Sequence, residues 1–148
     1  MQQQQFETPT VTSANDSRLE TADLPTLDDW LAQSHQGAGV CLDGDSNYTA
    51  LLPHLCALDL IAIDFRDSTD GRGFSIARTL RQAGYSAELR ATGRIIRDQL
   101  QFLQRCGFDS FDLPENTGIE AAIKSLYEIT VSYQPSDREK RPVALHTR

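Results

Sequence analysis

The sequence predicts an α/β fold of repeated βα units on a mainly parallel sheet, built either as a half-barrel or as an open three-layer sandwich. Three observations predict it. After Gly37, short apolar runs alternate with amphipathic stretches of about 10 to 14 residues, the pattern of strands joined by helical crossovers. Gly84 and Gly107 stand where two of the helical stretches should stop. The strand candidates carry a polar residue near their C-terminal ends, which suits a barrel-like inner face better than a sheet buried on both sides.

Residues 1–23 are polar, rich in Gln, Ser and Thr and without apolar periodicity, so they are expected to be disordered. A single α/β domain is expected over 24–134. Its first helix lies in "PTLDDWLAQS", where Thr26 and Asp29 form a capping pair and Leu27, Trp30 and Leu31 an apolar face. "AGVCLDG" reads as a strand, "NYTALLPHL" as a short helix and "LDLIAIDF" as a buried strand. "GRGFSIARTLRQA" reads as a helix, "AELRATG" as a strand, "RIIRDQLQFLQRC" as a helix and "FDSFDLP" as a strand. "GIEAAIKSLYEI" then gives a helix and "TVSYQP" a last strand, with 135–148 a flexible tail.

Alternation along these strands divides their residues between two faces. Ile61, Ile63 and Phe65 oppose Ala62 and Asp64; Leu89 opposes Glu88 and Arg90; Phe111 and Leu113 oppose Ser110 and Asp112.

Composition narrows the function classes. A net charge of −7 argues against nucleic acid or an anionic membrane as a partner. No apolar run approaches the roughly 20 residues of a membrane span. The N-terminus lacks both a basic and an apolar leader segment, so a cytoplasmic location is expected. Cys41, Cys56 and Cys106 are far apart, as are His35, His54 and His146, which predicts reduced thiols and no zinc site.

Charge is unevenly spread. Between Arg66 and Arg105 stand eight arginines and four acids, a balance of +4, which leaves −11 for the rest of the chain. Ligand sites in parallel α/β folds gather where strands end and helices begin, and "DSTDGRG" and "RATGR" occupy such places. Gly71 and Gly73 flank Arg72, allow close backbone approach and precede a helix N-terminus, so Arg72, Arg90 and Arg94 are the candidate anion or partner contacts. Structural pairing of Arg72 or Arg90 with Asp70, Asp64 or Asp112 is the alternative.

Arg78, Arg81, Arg97 and Arg105 fall within helices and are expected to be structural or solvated. The candidate catalytic residues are Asp64, Asp70, Asp98 and Asp112, with a strand-end carboxylate set also able to take Mg²⁺; Asp98 and Gln99 otherwise cap a helix. "DGRGFS" is neither a dinucleotide fingerprint nor a Walker loop, and no motif encodes a flavin, nicotinamide or iron–sulfur cofactor.

The string "DGRGFSIARTLRQAGYSAELRATGRIIRDQLQFLQRCGFDSF" resembles the signature of a bacterial family catalogued as domain of unknown function number nine hundred and thirty-four. The resemblance is dense from Leu60 to Leu113 and falls on Asp70, Gly71, Arg72, Gly73, Arg78, Arg81, Arg90, Gly93, Asp98, Gln99, Arg105, Cys106, Gly107, Phe108 and Asp109. It implies a role beside sulfite reductase, under the label of a probable oxidoreductase of sulfite reduction, with the reductase or its electron donor as partner. The alternative is a small enzyme that binds a sulfonated or phosphorylated metabolite. Open strand edges further suggest a homodimer, a foreign partner, or covering of an edge by the helix that carries Trp30.

Overall fold

The computed structural model describes residues 19–34, 38–113, 118–127 and 144–147. Among them are α1 (Leu27–Ala32), β1 (Gly39–Asp43), β2 (Leu60–Phe65), α2 (Arg72–Gln82), β3 (Glu88–Gly93), α3 (Leu100–Cys106), β4 (Ser110–Leu113), α4 (Ile119–Tyr127) and β5 (Ala144–Thr147). The strands form one parallel sheet in the order β1-β2-β3-β4-β5. This is the α/β fold that the alternation predicts.

The strand order bears on the choice between half-barrel and three-layer sheet. Successive parallel neighbours joined by right-handed crossovers place every crossover on the same face. Accordingly α2 packs against α3 and α3 against α4. The helices cover the face that carries Val40, Leu42, Ile61, Ile63, Phe65, Leu89, Ala91, Phe111 and Leu113, all of them buried. The rings of Phe65 and Phe74 approach to 5.3 Å and those of Phe65 and Phe108 to 5.9 Å, which joins α2 and the start of β4 to that layer. The opposite face carries the polar strand residues, as in half of a barrel.

Local signals account for most boundaries. Thr26 Oγ1 accepts from the Asp29 N–H at 3.3 Å and donates to Asp29 Oδ2 at 2.8 Å, the cap expected for α1. Trp30 on α1 is fully buried and meets His54 edge-on with centroids 5.7 Å apart. A parallel bridge between Thr26 and Cys41 runs along the outer side of β1, so that edge is covered within the chain. Gly107, at φ 117°, ends α3 in the left-handed region that a side chain would resist.

Four details differ from the sequence reading. "NYTALLPHL" forms a 3₁₀ helix over Tyr48–Ala57 with Pro53 inside it, where an α-helix would be broken. "RIIRDQLQFLQRC" begins as a loop because the Arg94 N–H is tied to the Phe65 carbonyl at 2.7 Å and Ile95 turns into the core; a 3₁₀ turn over Arg97–Gln99 leads into α3. Ala144–Thr147, in the expected flexible tail, pairs with Ser110–Leu113 as β5. Described contacts begin at Leu19, inside the stretch expected to be disordered. "TVSYQP" lies outside the described residues.

Candidate functional site

Two sets of chemistry-bearing residues meet at the C-terminal end of the sheet. The first is the row of side chains on the face away from the helices. Register aligns Asp43 with Asp64 and Asp64 with Thr92. It also aligns Cys41 with Ala62, Ala62 with Arg90, and Arg90 with Ser110, so Asp112 on β4 stands level with Thr92 on β3. Two of the sequence candidates, Asp64 and Asp112, thus share one row with Asp43 and Thr92.

Burial raises the Cys41 thiol to about 11, helped by the negative fields of Asp64, Asp43 and Asp112. Thr92 and Asp112 are buried, at 4% and 8% exposure, while Cys41, Asp43 and Asp64 are half-buried.

Gly93 closes the row at the end of β3. Its φ is 91°, and a methyl group there would run into Asp64 Oδ1 and the Phe65 carbonyl. Only glycine leaves the Asp64 carboxylate its place.

The second set is the loop network ahead of α2. Asp70 accepts from Arg72 three times: Oδ1 from the backbone N–H at 3.1 Å and from Nε at 2.9 Å, and Oδ2 from Nη2 at 2.8 Å. These bonds pull the Asp70 carboxyl down to about 2. The other side of the Arg72 fork pairs with Asp45, and Arg66 pairs with Asp43. Partial burial works against the Asp43 charge, but bonds from the Ser46 hydroxyl and the Asp45 N–H and the nearby Arg66 hold its carboxyl below the ordinary value.

Asp43, Asp45, Asp67 and Asp70 outnumber Arg66 and Arg72 in this region. The α2 N-terminus therefore already has an anion beside it, supplied by Asp70. Arg72, read from sequence as an anion contact or as a structural partner of an aspartate such as Asp70, is engaged with Asp70 and also with Asp45, and Gly71 and Gly73 shape that turn. Gly73 is buried against Phe65 and Ile63, where a Cβ would fall 2.5 Å from the Phe65 ring.

Arg90 stands apart from the loop. It is 1% exposed and donates to Glu88 Oε1 at 2.8 and 3.1 Å, to the Leu19 carbonyl at 3.0 Å and to Thr21 Oγ1 at 3.1 Å. Ser110 Oγ donates to the same Glu88 oxygen at 2.6 Å. Arg90 thus pins the N-terminal segment across the inner face, with Glu88 as its acidic partner in place of the three aspartates that sequence reading proposed. Arg94 is exposed, as is Asp98, which meets Arg97 at 3.8 Å. Gln99 Nε2 donates to the Ser68 carbonyl at 2.5 Å and ties the α3 entry to the α2 loop.

Cys41, Asp43, Asp45 and Thr92 were not among the sequence candidates. The signal for two of them was present: alternation in "GVCLD" sets Cys41 and Asp43 opposite Val40 and Leu42.

No described helix is long and apolar enough to cross a membrane. No curated protein and no solved structure matches the chain. The family model for a bacterial protein of unknown function, DUF934, matches residues 39–144, from the first residue of β1 to the first of β5. That span is well over half of the chain and contains both the row of polar strand residues and the DGRG loop, and on it the chain belongs to the bacterial DUF934 family.

Proposed function

We propose that the chain is an accessory, oxidoreductase-associated protein of sulfite reduction that docks an acidic partner on the outer face of α2 and α3. The pathway comes from the label attached to the family it resembles; the docking face is argued from surface chemistry. Phe102 and Ile96 are 46% and 48% exposed, and the Phe102 ring lies 4.9 Å from Phe74 across the α2–α3 seam. Exposed Arg105 stands three residues after Phe102 on α3 and exposed Arg78 four after Phe74 on α2, each one helical turn on; Arg94 and Arg97 are exposed in the segment that leads into α3, and Asp98 is the exposed acid between Gly71 and Cys106. The exposed Phe102 at the α2–α3 seam, with an exposed arginine one turn along each helix, is the observation that carries the reading.

Exposed aromatic and arginine side chains are the residues interfaces favour. An electron donor to sulfite reductase with an acidic docking surface would meet this patch with complementary charge. Arg72 and Arg90 are poorer docking residues, since one is paired within its loop and the other is buried.

The experiment is capture of sulfite reductase and its donor by the tagged full chain at low and high salt. Salt-sensitive capture that is lost in Arg78→Glu/Arg105→Glu and in Phe102→Ala supports the reading. Absence of capture at low salt, or capture indifferent to all three substitutions, rejects it.

A second reading, a small enzyme acting on a sulfonated or phosphorylated metabolite, draws on the carboxylates in the strand-end row, Asp43, Asp64 and Asp112. Thermal shift with sulfite, sulfate, phosphoadenylylsulfate, nicotinamides and flavins tests it, since a ligand of the native state raises the midpoint. A panel without any shift removes its support.

A further inference from the structure

The segment that Arg90 pins lies across three strands. The Leu19 carbonyl accepts from Arg90 Nη1 on β3 at 3.0 Å, while a Cβ at Gly39 on β1 would stand 3.5 Å from Leu19 Cδ1. Leu19 therefore passes over β2. There Leu60, the register partner of Gly39 and Glu88, and Ala62, the partner of Cys41 and Arg90, are buried. Thr21 Oγ1 accepts from the same Nη1 at 3.1 Å, and the Pro25 carbonyl accepts from the Cys41 N–H at 2.9 Å on the outer side of β1. Residues 19–25 thus cross the inner face of the sheet from β3 to the β1 edge.

Gly39 is suited to this segment. It lies outside the left-handed region, and a Cβ there would fall 2.5 Å from Leu24 Cδ2 but at ordinary contact distance, 3.5 Å, from the Leu60 carbonyl. The missing side chain is a notch that Leu24 fills. The hold is light all the same. Glu20, Ala22 and Asp23 are exposed and Leu19, Thr21 and Leu24 half-buried, while the Asp23 and Leu24 N–H groups donate to Glu20 and Thr21 carbonyls within the segment itself. Segments with few buried contacts open at free energies well below that of global unfolding.

We propose that residues 19–25 are a releasable strap seated on a peptide-binding groove across β1, β2 and β3, and that the strap competes there with an extended segment of a partner protein. The strap itself displays the chemistry the groove accepts: a leucine for the Gly39 notch and uncharged oxygens for Arg90 Nη1. Glu88 Oε1 already takes Nε and Nη2 on the other side of the guanidinium, at 3.1 and 2.8 Å. A second anion would meet the field of that carboxylate, whereas a peptide carbonyl would not. The ligand class is therefore a peptide and not an oxyanion. Because the strap occupies the groove, the apparent affinity for the partner segment falls by the fraction of time that the strap is open. The groove is on the opposite side of the sheet from the docking face on α2 and α3, and either can fail without the other.

The test uses the full chain and a fluorescent peptide with the sequence of residues 19–26, LETADLPT. In Leu19→Asp/Leu24→Asp, checked for fold by circular dichroism, the chain's own strap is weakened, so the Cys41 N–H should exchange faster while the β2 amides keep their protection. By anisotropy this variant should bind the peptide at least about tenfold more tightly than wild type does. Adding Gly39→Val, which fills the notch, or Arg90→Lys, which removes the fork, should abolish the gain. Millimolar sulfate should not displace the peptide. Peptide binding that is absent from the strap variant, or equal in it and wild type, would overturn the proposal. So would a gain that survives both Gly39→Val and Arg90→Lys, unchanged Cys41 N–H exchange, or displacement by sulfate, which would assign the groove to an oxyanion. Should Leu19→Asp/Leu24→Asp fail to fold, Leu24→Ala, which empties the notch, takes its place; should Arg90→Lys fail, Gly39→Val alone decides.

Discussion

Arg81 on α2 holds Asp109, the residue just ahead of β4, at 2.6 Å, and the same guanidinium caps the carbonyls of Gly107, Tyr85 and Ala87 at 2.7 to 3.0 Å. Asp109 in turn accepts from the Leu89 N–H at 3.1 Å, so one ion pair joins α2, β3 and the α3–β4 turn.

Both partners are mostly buried, with side chains 11% and 16% exposed. Arg81→Ala leaves Asp109 and three carbonyls short of a donor and should lower stability by about 3 kcal/mol or more. Lysine keeps the charge but lacks the planar fork, and should recover less than half of the loss. Urea unfolding of the three proteins checks this; an Arg81→Lys variant as stable as wild type would count against the fork.

The Arg90 pin predicts a local effect as well as a global one. Arg90→Met should cost about 3 kcal/mol through the lost bonds to Glu88, Leu19 and Thr21. Under native conditions, hydrogen exchange should accelerate most at residues 19–24. Unchanged exchange there would show that Arg90 does not hold the segment.

Asp70 should titrate at about 2 in the folded protein, chiefly because the Arg72 side chain donates to it. Its folded value lies below the unfolded value of about 4. The stabilisation it contributes is therefore complete above about pH 4 and is lost as pH falls toward 2. Carboxyl NMR of the labelled protein reads the midpoint directly, and Arg72→Ala should raise it, while the backbone N–H of residue 72 still holds it below the ordinary range. An Asp70 midpoint near 4 in wild type would mean that the loop network does not persist in solution.

Thiol reactivity should separate the cysteines. Cys56 is exposed, whereas the Cys41 thiol is raised to about 11 by burial and by Asp64, Asp43 and Asp112. At pH 8, alkylation followed by mass spectrometry should modify Cys56 first, with Cys41 slower by on the order of a hundredfold. Asp64→Asn removes the largest of the three acidic contributions and should speed Cys41 while leaving Cys56 unchanged. Equal rates at the two cysteines in wild type would contradict the buried, acid-flanked setting of Cys41.

Local pattern by itself determined the α/β class, the Thr26 cap, the glycine stops after α2 and α3, and the shared face of Asp64, Arg90 and Asp112. Each of these depends on residues a few positions apart, because cap geometry and strand alternation are short-range properties. The half-barrel strand order, the meeting of Asp64 with Asp43 and Thr92, and the pairing of Ala144–Thr147 with β4 were decided by tertiary structure. So were the partners of the arginines: Arg72 reaches Asp45 across 27 positions, and Arg90 reaches Leu19 across 71. Periodicity shows that a cation lies on a given face, but the acid or carbonyl that meets it depends on how the chain brings distant strands and loops together. For this reason the sequence left Arg72 between an anion and Asp70, and it is the fold that engages Arg72 with Asp70 and adds Asp45, while Arg90 meets Glu88, an acid outside the pairings the sequence offered.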